Sequence, residues 1–326
     1  MADDNVIVVD GLGRDFGAFT AVHAVDFTVR RREIFGFLGP NGAGKTTTIN
    51  MLATLLKPTR GRAELAGHDV VKQPMQVRQS IGMVFQDPSL DDRLTADENL
   101  QFHAMIYNVP VAVRKERADQ VLGIVGLTDR RKSVVRTFSG GMKRRLEIAR
   151  GLLHHPTVLF LDEPTAGLDP QSRNAMWGHV RRLRDEIGIT VFMTTHYMDE
   201  AENCDRIAVI DHGKIQALDT PAALKRLIGG DKIIVSGDPG LQQDISVKYG
   251  LNVQQVDGEL HLQVEHGAEF VPKLAADFAG RVRSLQVKQP SLDDVFLQLT
   301  GRAIREEEGK EIDQLRQMGK LWRGRR

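Results

Sequence analysis

The segment that most constrains this sequence is Gly39-Pro-Asn-Gly-Ala-Gly-Lys-Thr46, which matches the pattern G-x4-G-K-[S/T]. It follows the short apolar run 34–38 and precedes residues 46–56, which have helical spacing. Glycines allow successive backbone N–H groups to surround phosphate oxygens, and a helix N-terminus adds partial positive charge. The segment therefore predicts a phosphate-binding loop between a strand and a helix.

Four side chains give this loop its expected chemistry. Lys45 is predicted to reach the β and γ phosphates of a nucleotide, and the hydroxyl of Thr46 to bind Mg²⁺. The apolar run 158–161 delivers Asp162 and Glu163 at its end, where ligands of open α/β sheets bind. Asp162 is predicted to hold the metal. Glu163 is predicted to orient or deprotonate the water that attacks the γ-phosphorus.

Short apolar runs bounded by Gly, Pro or charged residues predict strands at 6–9, 34–38, 81–85, 158–161, 189–193 and 207–210. Segments with helical spacing separate several of them, which predicts a mostly parallel sheet covered on both faces, an α/β core. Residues 94–137 contain no convincing strand and predict a helical insertion. The expected first domain, of P-loop NTPase type, covers residues 1–230 with this insertion inside it.

The pattern changes near residue 231 to the order βαββαβ. Asp257-Gly258 between two alternating runs predicts a hairpin, and the order is that of a ferredoxin-like unit. A small α+β domain with an accessory or regulatory role is therefore expected at 231–300. Residues 301–326 form a charged tail with a basic end that contains Trp322, interpreted as a solvated helix or as a contact to acidic lipid or a membrane partner.

Composition argues against several classes of protein. The formal net charge of +1 provides no basic field for nucleic acid. No apolar run approaches the roughly 18 residues that cross a bilayer, and the first residues lack the order of a signal peptide. Cys204, the single cysteine, excludes an internal disulfide and is interpreted as a packed thiol. A protein made in the cytosol is expected.

The segment Phe138-Ser139-Gly140-Gly141-Met142 begins a stretch with helical spacing upstream of Asp162, with Ser139 as a natural N-cap. With this segment, residues 5–225 resemble the ATPase subunits of ABC transporters. The resemblance implies that Phe16 stacks on adenine, Gln86 senses the metal, Asp169 belongs to the D-loop and His196 contacts the γ-phosphate. The alternatives are a core Phe16, a strand-end Gln86, an Asp169 that caps a helix and a structural His196.

The resemblance further implies a head-to-tail dimer in which ATP at one chain's loop is covered by Ser139, Gly140, Gly141 and Met142 of the other. Met142 stands where Gln is common, and Phe138 where Leu is common. The full set expected to bind ATP is Phe16, Gly39, Pro40, Asn41, Gly42, Ala43, Gly44, Lys45, Thr46, Thr47 and Gln86, with Thr46, Gln86 and Asp162 at Mg²⁺.

Three segments together are similar to those of the daunorubicin-resistance type of drug or lipid exporter ATPase: FSGGMKRRLEIARGLL, THYMDEAENCDRIAVIDHGKI and the late PSLDDVFLQLTGR. This likeness implies a separate transmembrane permease subunit that docks near residues 85–97, in an assembly of two plus two. The chain would lie at the cytoplasmic face of the cell membrane, held by the permease. The exported small molecule or lipid would contact the permease and not this chain.

Four other functions fit the sequence less well than the exporter. A DNA-repair or chromosome-associated ABC ATPase needs long coiled-coil arms, whereas about ninety residues separate Thr46 from Phe138. A ribosome-binding ABC factor normally carries two sets of these motifs, and one occurs here. An ATPase of a metal-cluster scaffold shares the core motifs but would not explain residues 231–300. A P-loop kinase or GTPase does not need Ser139-Gly-Gly.

Overall fold

The computed structural model describes residues 4–87, 89–256 and 258–301. These residues fall into two compact units that divide between Asp219 and Thr220. The division precedes the boundary expected at 230. The reason is that the helix Pro221–Arg226 packs on the helix Leu292–Thr300 within the second unit.

The first unit contains two sheets and seven α-helices among the described residues. Its strands are β1 (Asn5–Phe16), β2 (Phe19–Arg30), β3 (Ile34–Leu38), β4 (Arg60–Leu65), β5 (His68–Asp69), β6 (Ile81–Val84), β7 (Val158–Asp162), β8 (Thr190–Thr195), β9 (Arg206–Asp211) and β10 (Lys214–Asp219). Its helices are α1 (Lys45–Leu52), α2 (Pro74–Ser80), α3 (Ala96–Ile106), α4 (Val111–Ile124), α5 (Gly140–Leu152), α6 (Pro170–Arg182) and α7 (Met198–Ala201).

The larger sheet has the strand order β10-β9-β3-β8-β7-β6, and only β10 runs antiparallel to its neighbour. Every residue of β3, β7 and β8 is buried, as expected for strands covered on both faces. Phe35 and Phe160 pack around Phe192 with ring centres 5.4 Å apart in each pair. The α/β core predicted from the apolar runs is confirmed.

Strand β1 does not belong to that parallel sheet, contrary to the expectation for residues 6–9. It pairs antiparallel with β2 and β4 in a second sheet of order β2-β1-β4-β5. The reason is the connection: Phe16 pairs with Phe19 across a two-residue turn, and Gly17 has a φ of 61°. A parallel pair would need a long crossover, which this turn does not supply.

The helical insertion is confirmed. It consists of α3 and α4, followed by the short 3₁₀ turns Thr128–Arg130 and Val135–Thr137. α3 begins with a capping box, in which Thr95 Oγ1 accepts from Glu98 N and the Glu98 carboxylate accepts from Thr95 N. The insertion thus separates β6 in sequence from α5 and β7.

The second unit forms the expected βαββαβ order after the short helix α8 (Pro221–Arg226). Its sheet is antiparallel in the order β12-β13-β11-β14, and its core includes Ile233, Leu262 and Phe278. Val256 pairs with Glu259 across the predicted hairpin, where Gly258 has a φ of 84°. Asp257 and the tail 302–326 lie outside the described residues. The elements are β11 (Asp231–Gly237), α9 (Leu241–Tyr249), β12 (Val253–Val256), β13 (Glu259–Val264), α10 (Gly267–Asp277), β14 (Val282–Lys288) and α11 (Leu292–Thr300).

Candidate functional site

The glycine-rich loop 39–44 leaves the carboxyl end of β3, in the centre of the parallel sheet between β8 and β9. Two positions of this loop require glycine because the neighbouring backbone lies too close for a Cβ atom. A Cβ on Gly39 would lie 2.2 Å from the carbonyl oxygen of Ile210, and one on Gly44 would lie 2.7 Å from that of Ala21. Gly44 also has a φ of 102°, which disfavours other residues. The loop therefore packs directly on neighbouring backbone.

The ammonium group of Lys45 is enclosed by oxygen atoms at the start of α1. Its Nζ donates to the carbonyl oxygens of Gly39 at 2.8 Å and Pro40 at 3.0 Å, and lies 3.2 Å from Oε1 of Glu163. The side chain is only 4 % exposed. A buried cation at the mouth of a glycine-rich loop is positioned to meet an incoming anion.

Asp162 ends β7 beside Thr194 of β8, its partner in the parallel register. The Thr194 hydroxyl donates to Asp162 Oδ1 at 2.5 Å and accepts the backbone N–H of Glu163 at 3.0 Å. Thr46 Oγ1 lies 3.5 Å from the same Asp162 oxygen. A hydroxyl and a carboxylate side by side are hard oxygen ligands, so this pair fits the preference of Mg²⁺.

Glu163 is held between two cationic or proton-donating groups. Its Oε1 faces Lys45, and its Oε2 lies 3.2 Å from Nδ1 of His196. Burial favours the neutral carboxyl, but the hydrogen bond from His196 and the charge of Lys45 outweigh it and keep the pKa of Glu163 below its ordinary value. The backbone of Glu163 has a φ of 45°, a strained value of the kind found at functional sites.

A cavity of about 460 Å³ opens at the loop, within the size range of small-molecule sites. Phe16 is 47 % exposed at its edge, which excludes the alternative of a core residue. The cavity also includes Phe19 and Ala21, which the sequence did not indicate. The predicted residues that line it are Phe16, Pro40, Asn41, Gly42, Gly44, Lys45, Thr46, Thr47, Gln86 and Glu163.

Ser139 is the N-cap of α5, and its Oγ accepts from the backbone N–H of Met142 at 3.3 Å. Gly140 and Gly141 form the first turn of that helix, so their N–H groups point out of its N-terminus. None of these four residues is among the described residues that line the cavity at the loop. The Ser139 turn and the glycine loop therefore lie at different places in the described part of the chain.

Asp169 is the N-cap of α6, where its carboxylate accepts from Ser172 N at 2.9 Å and Ser172 Oγ at 2.6 Å. Asp169 therefore caps a helix, as in the second interpretation given for it above. A Cβ on Gly141 would lie 3.1 Å from Ser172 Oγ. The Asp169 turn thus packs against the beginning of α5.

Comparison with known proteins identifies the family. Two family models match this chain, ABC transporter over residues 22–166 and ATP-binding protein DrrA1-3-like, C-terminal domain, over residues 220–300. The linearmycin resistance ATP-binding protein LnrL of Bacillus subtilis is 38 % identical over 312 residues, which cover 92 % of this chain and 100 % of that protein. This chain belongs to the ATP-binding subunits of the ABC transporter family.

A second relative and a solved structure agree with this assignment. The daunorubicin/doxorubicin resistance ATP-binding protein DrrA of Streptomyces peucetius is 40 % identical over 306 residues, which cover 90 % of this chain and 92 % of that protein. A dimeric post-hydrolysis structure of the ATP-binding cassette MJ0796, bound to ADP and phosphate, has a TM-score of 0.59 at 26 % identity and covers 66 % of this chain and 98 % of that one. The chain is thus an ABC ATPase of the drug-resistance type.

ABC ATPase cassettes form dimers and work with a membrane permease subunit. In this ABC ATPase, no helix within residues 4–87, 89–256 and 258–301 is long and apolar enough to span a bilayer.

Phe16→Ala in this ABC ATPase is expected to raise the dissociation constant for ATP roughly tenfold, since stacking of a base on an aromatic ring contributes about 1–3 kcal/mol. Isothermal titration of the purified chain with ATP measures this. Phe102, which is 51 % exposed on α3, provides the control, because Phe102→Ala removes an equally exposed ring that does not line the cavity. Unchanged affinity in Phe16→Ala would contradict the adenine contact.

Proposed function

We propose that this chain is the ATP-hydrolysing subunit of an ABC exporter. ATP closes a head-to-tail dimer, and closure drives export of a drug-like or lipid molecule through a separate membrane subunit. One observation carries the proposal: the glycine loop lines the cavity, whereas the Ser139 turn is not among the described residues that line it. The names of the linearmycin- and daunorubicin-resistance relatives support a drug-like cargo.

In this proposal ATP binds along the loop with its adenine on Phe16 and its β and γ phosphates at Lys45. Thr46 and Asp162 would hold Mg²⁺, together with Gln86, which lines the same cavity as Thr46. When bound, Mg²⁺ supplies charge neutralisation at the β and γ phosphates. The backbone that surrounds the phosphates is that of Gly39, Pro40, Asn41, Gly42, Ala43, Gly44 and Thr47.

Glu163 acts as the catalytic base in this scheme. Its lowered pKa keeps the carboxylate ionised at neutral pH, so it can accept a hydrogen bond or a proton from the attacking water. His196 holds one carboxylate oxygen and Lys45 the other, which fixes the direction of the carboxylate. His196 would also contact the γ-phosphate and keep the water aligned for in-line attack.

The opposite chain completes the site in trans. The Ser139 hydroxyl and the N–H groups of Gly140 and Gly141 form an anion site at a helix N-terminus, and the γ-phosphate is its target. Met142 lacks the amide hydrogen bonds of Gln, so its contact to the opposite ribose would be apolar. Hydrolysis removes the contact that favoured closure and releases the dimer.

Several exposed apolar side chains on the helical insertion support a membrane partner. Val111 is 77 % exposed and Ile106 is 56 % exposed, and Phe102, Met105 and Tyr107 are exposed nearby in sequence. A group of exposed apolar side chains is typical of an interaction surface. We assign it, with residues 85–97, to the separate permease, in a two-plus-two assembly at the cytoplasmic face of the membrane. The cargo contacts the permease.

The small second unit is assigned an accessory role, in regulation or in stabilising the dimer. α11 has a capping box at Ser291 and buries Leu292, Val295 and Phe296. These contacts account for its sequence as a packing helix of the second unit. The function proposed for the first unit does not depend on this assignment.

Mixed dimers test the trans arrangement. A separate-copy heterodimer carries Ser139→Ala in one protomer and Lys45→Met in the other, and a same-copy heterodimer carries both changes in one protomer. If Ser139 acts in trans, only the separate-copy form keeps one intact site. We expect it to retain at least about tenfold more ATP, because a hydrogen bond to a charged group contributes about 1.5–3 kcal/mol.

The measurement is the radiolabelled ATP retained after rapid dilution, with Glu163→Gln in every protomer to prevent turnover. A heterodimer with Lys45→Met in one protomer and no change at Ser139 gives the reference value for one intact site. The opposite ranking, with more ATP retained by the same-copy form, would show that Ser139 acts on its own chain. Equal retention in the two forms would exclude Ser139 from the site.

A further inference from the structure

Three charged residues of α5 lie on one face of the helix and are buried. They are Arg144, Glu147 and Arg150, each three positions after the last, and they are 6 %, 1 % and 5 % exposed, respectively. Burial of a charge is costly unless the charge is paired and hydrogen-bonded. We call these three residues the α5 clamp, since their partners lie on other parts of the first unit.

Arg144 connects α5 to the ends of β7 and β6. Its Nη2 donates to the carbonyl oxygen of Asp162 at 2.9 Å, and its Nε to that of Pro164 at 2.8 Å, so it contacts the backbone on both sides of Glu163. Its Nη1 donates to the carbonyl oxygen of Phe85, the residue before Gln86. A single guanidinium therefore reaches the segments that carry three of the proposed site residues.

Glu147 and Arg150 hold the segment after Gln86 to the same helix face. Glu147 accepts the backbone N–H of Ser89 at 2.7 Å and pairs with Arg144 Nη1 at 3.0 Å. Arg150 donates to the Ser89 carbonyl at 3.1 Å and to its hydroxyl at 2.5 Å. The Ser89 backbone is thus held at both its N–H and its C=O.

We propose that Arg144 is a positioning residue for ATP hydrolysis in the opposite protomer. It fixes the Ser139 turn at the start of α5 relative to the Gln86 segment and the carboxylate end of β7. A displacement at one protomer's own nucleotide site is thereby passed to the turn that covers the partner's ATP. The inference rests on the trans arrangement proposed above.

Arg144→Lys tests this role with the charge retained. The guanidinium donates from three nitrogens in fixed directions, whereas a lysine ammonium donates from a single atom and cannot span these carbonyl groups. We expect kcat for ATP hydrolysis to fall at least about tenfold, with the ATP dissociation constant of the monomer within about twofold of wild type. Steady-state phosphate release and titration below the dimerisation concentration give the two values.

Mixed dimers separate positioning from a local structural fault. Arg144→Lys is combined with Lys45→Met, in separate copies or in the same copy, with Glu163→Gln throughout. We expect the same-copy form to retain several-fold less ATP, because the only intact glycine loop then faces the altered α5. A variant that merely disturbs its own Asp162 and Glu163 would give the opposite ranking and overturn the inference.

Two controls complete the experiment. Arg206→Lys alters another arginine, partly buried, which donates to both Glu33 oxygens and to the carbonyl of Thr28, and it is expected to change thermal stability without changing kcat. If Arg144→Lys does not fold, Ser89→Ala removes the hydroxyl contacts to Arg150 and Glu147 and leaves the backbone contacts of Ser89 in place. A lower kcat at unchanged ATP affinity is expected there. Wild-type kcat in Ser89→Ala would then count against the clamp.

Ser139→Ala in the same mixed dimers shows which idea fails. If Ser139→Ala has the trans pattern and Arg144→Lys does not, the positioning role is wrong and the proposed function stands. If Ser139→Ala itself lacks the trans pattern, the proposed function fails first.

Discussion

Glu163→Gln is expected to lower ATP hydrolysis about 1,000-fold, within the range for loss of a general base, while ATP still binds. The amide cannot take a proton from water, but the glycine loop and Lys45 keep their phosphate contacts. The variant should therefore accumulate as an ATP-bound dimer. Phosphate release measures the loss of turnover, and gel filtration with and without ATP measures the dimer.

A matched control for this variant is Glu33→Gln. Glu33 is also buried and paired with a cation, Arg206, but it contacts none of the proposed phosphate-binding residues in the described structure. Its loss should lower the melting temperature and leave turnover per folded chain unchanged. Near-wild-type turnover in Glu163→Gln would mean that another group is the base.

The pH dependence of wild-type turnover is a further test of Glu163. Because the pKa of Glu163 is lowered, its carboxylate should become protonated, and turnover should fall, only when the pH drops below the ordinary range of a glutamate.

The fold elements nearest the site were predictable because their local signals agree. β3 is a continuous apolar run followed by a glycine, and β7 is a continuous apolar run that ends in two acidic residues. Both strands are buried on both faces, which explains why they are apolar. The glycine positions of the loop were predictable because the motif specifies them, and the close backbone packing requires them. The βαββαβ unit was also predictable, since its strand lengths, turn and helices follow one another closely along the chain.

Contacts between distant segments were not predictable in the same way. The pairing of β1 with β4 brings together residues such as Val9 and Ala63, and no local pattern specifies that partner. Thr194 is an ordinary strand residue by composition. It contacts Asp162 only because β7 and β8 run parallel in that register.

Charged helix residues gave a misleading local signal. Arg144 and Glu147 have the composition of a solvated helix face, yet both are buried against carbonyl and N–H groups of other segments. Phe19 was missed for a related reason, because its position opposite Phe16 depends on the turn that joins β1 to β2. A pair of aromatic residues flanking a glycine turn was the only available sign.

Lys45→Met is expected to weaken ATP binding about 100-fold, or about 3 kcal/mol, as is usual when one member of a buried charged pair is removed. In the wild-type chain the ammonium lies among the carbonyl oxygens of Gly39 and Pro40 and the carboxylate of Glu163. Without the ammonium group, no positive charge would lie between these oxygens and the negatively charged triphosphate. Titration with ATP measures the loss, and Lys248→Met, which breaks a 2.8 Å ion pair to Asp277 in the second unit, is the control.

The 3.2 Å contact between Lys45 and Glu163 leads to a further prediction, for the variant that combines Lys45→Met with Glu163→Gln. Much of the loss in Lys45→Met is attributed to repulsion from the remaining carboxylate, so adding Glu163→Gln should restore ATP affinity about tenfold relative to Lys45→Met alone. The two changes therefore should not be additive in binding free energy. Strict additivity would mean that the carboxylate does not affect the bound phosphates, and that Lys45 acts on ATP by direct contact alone.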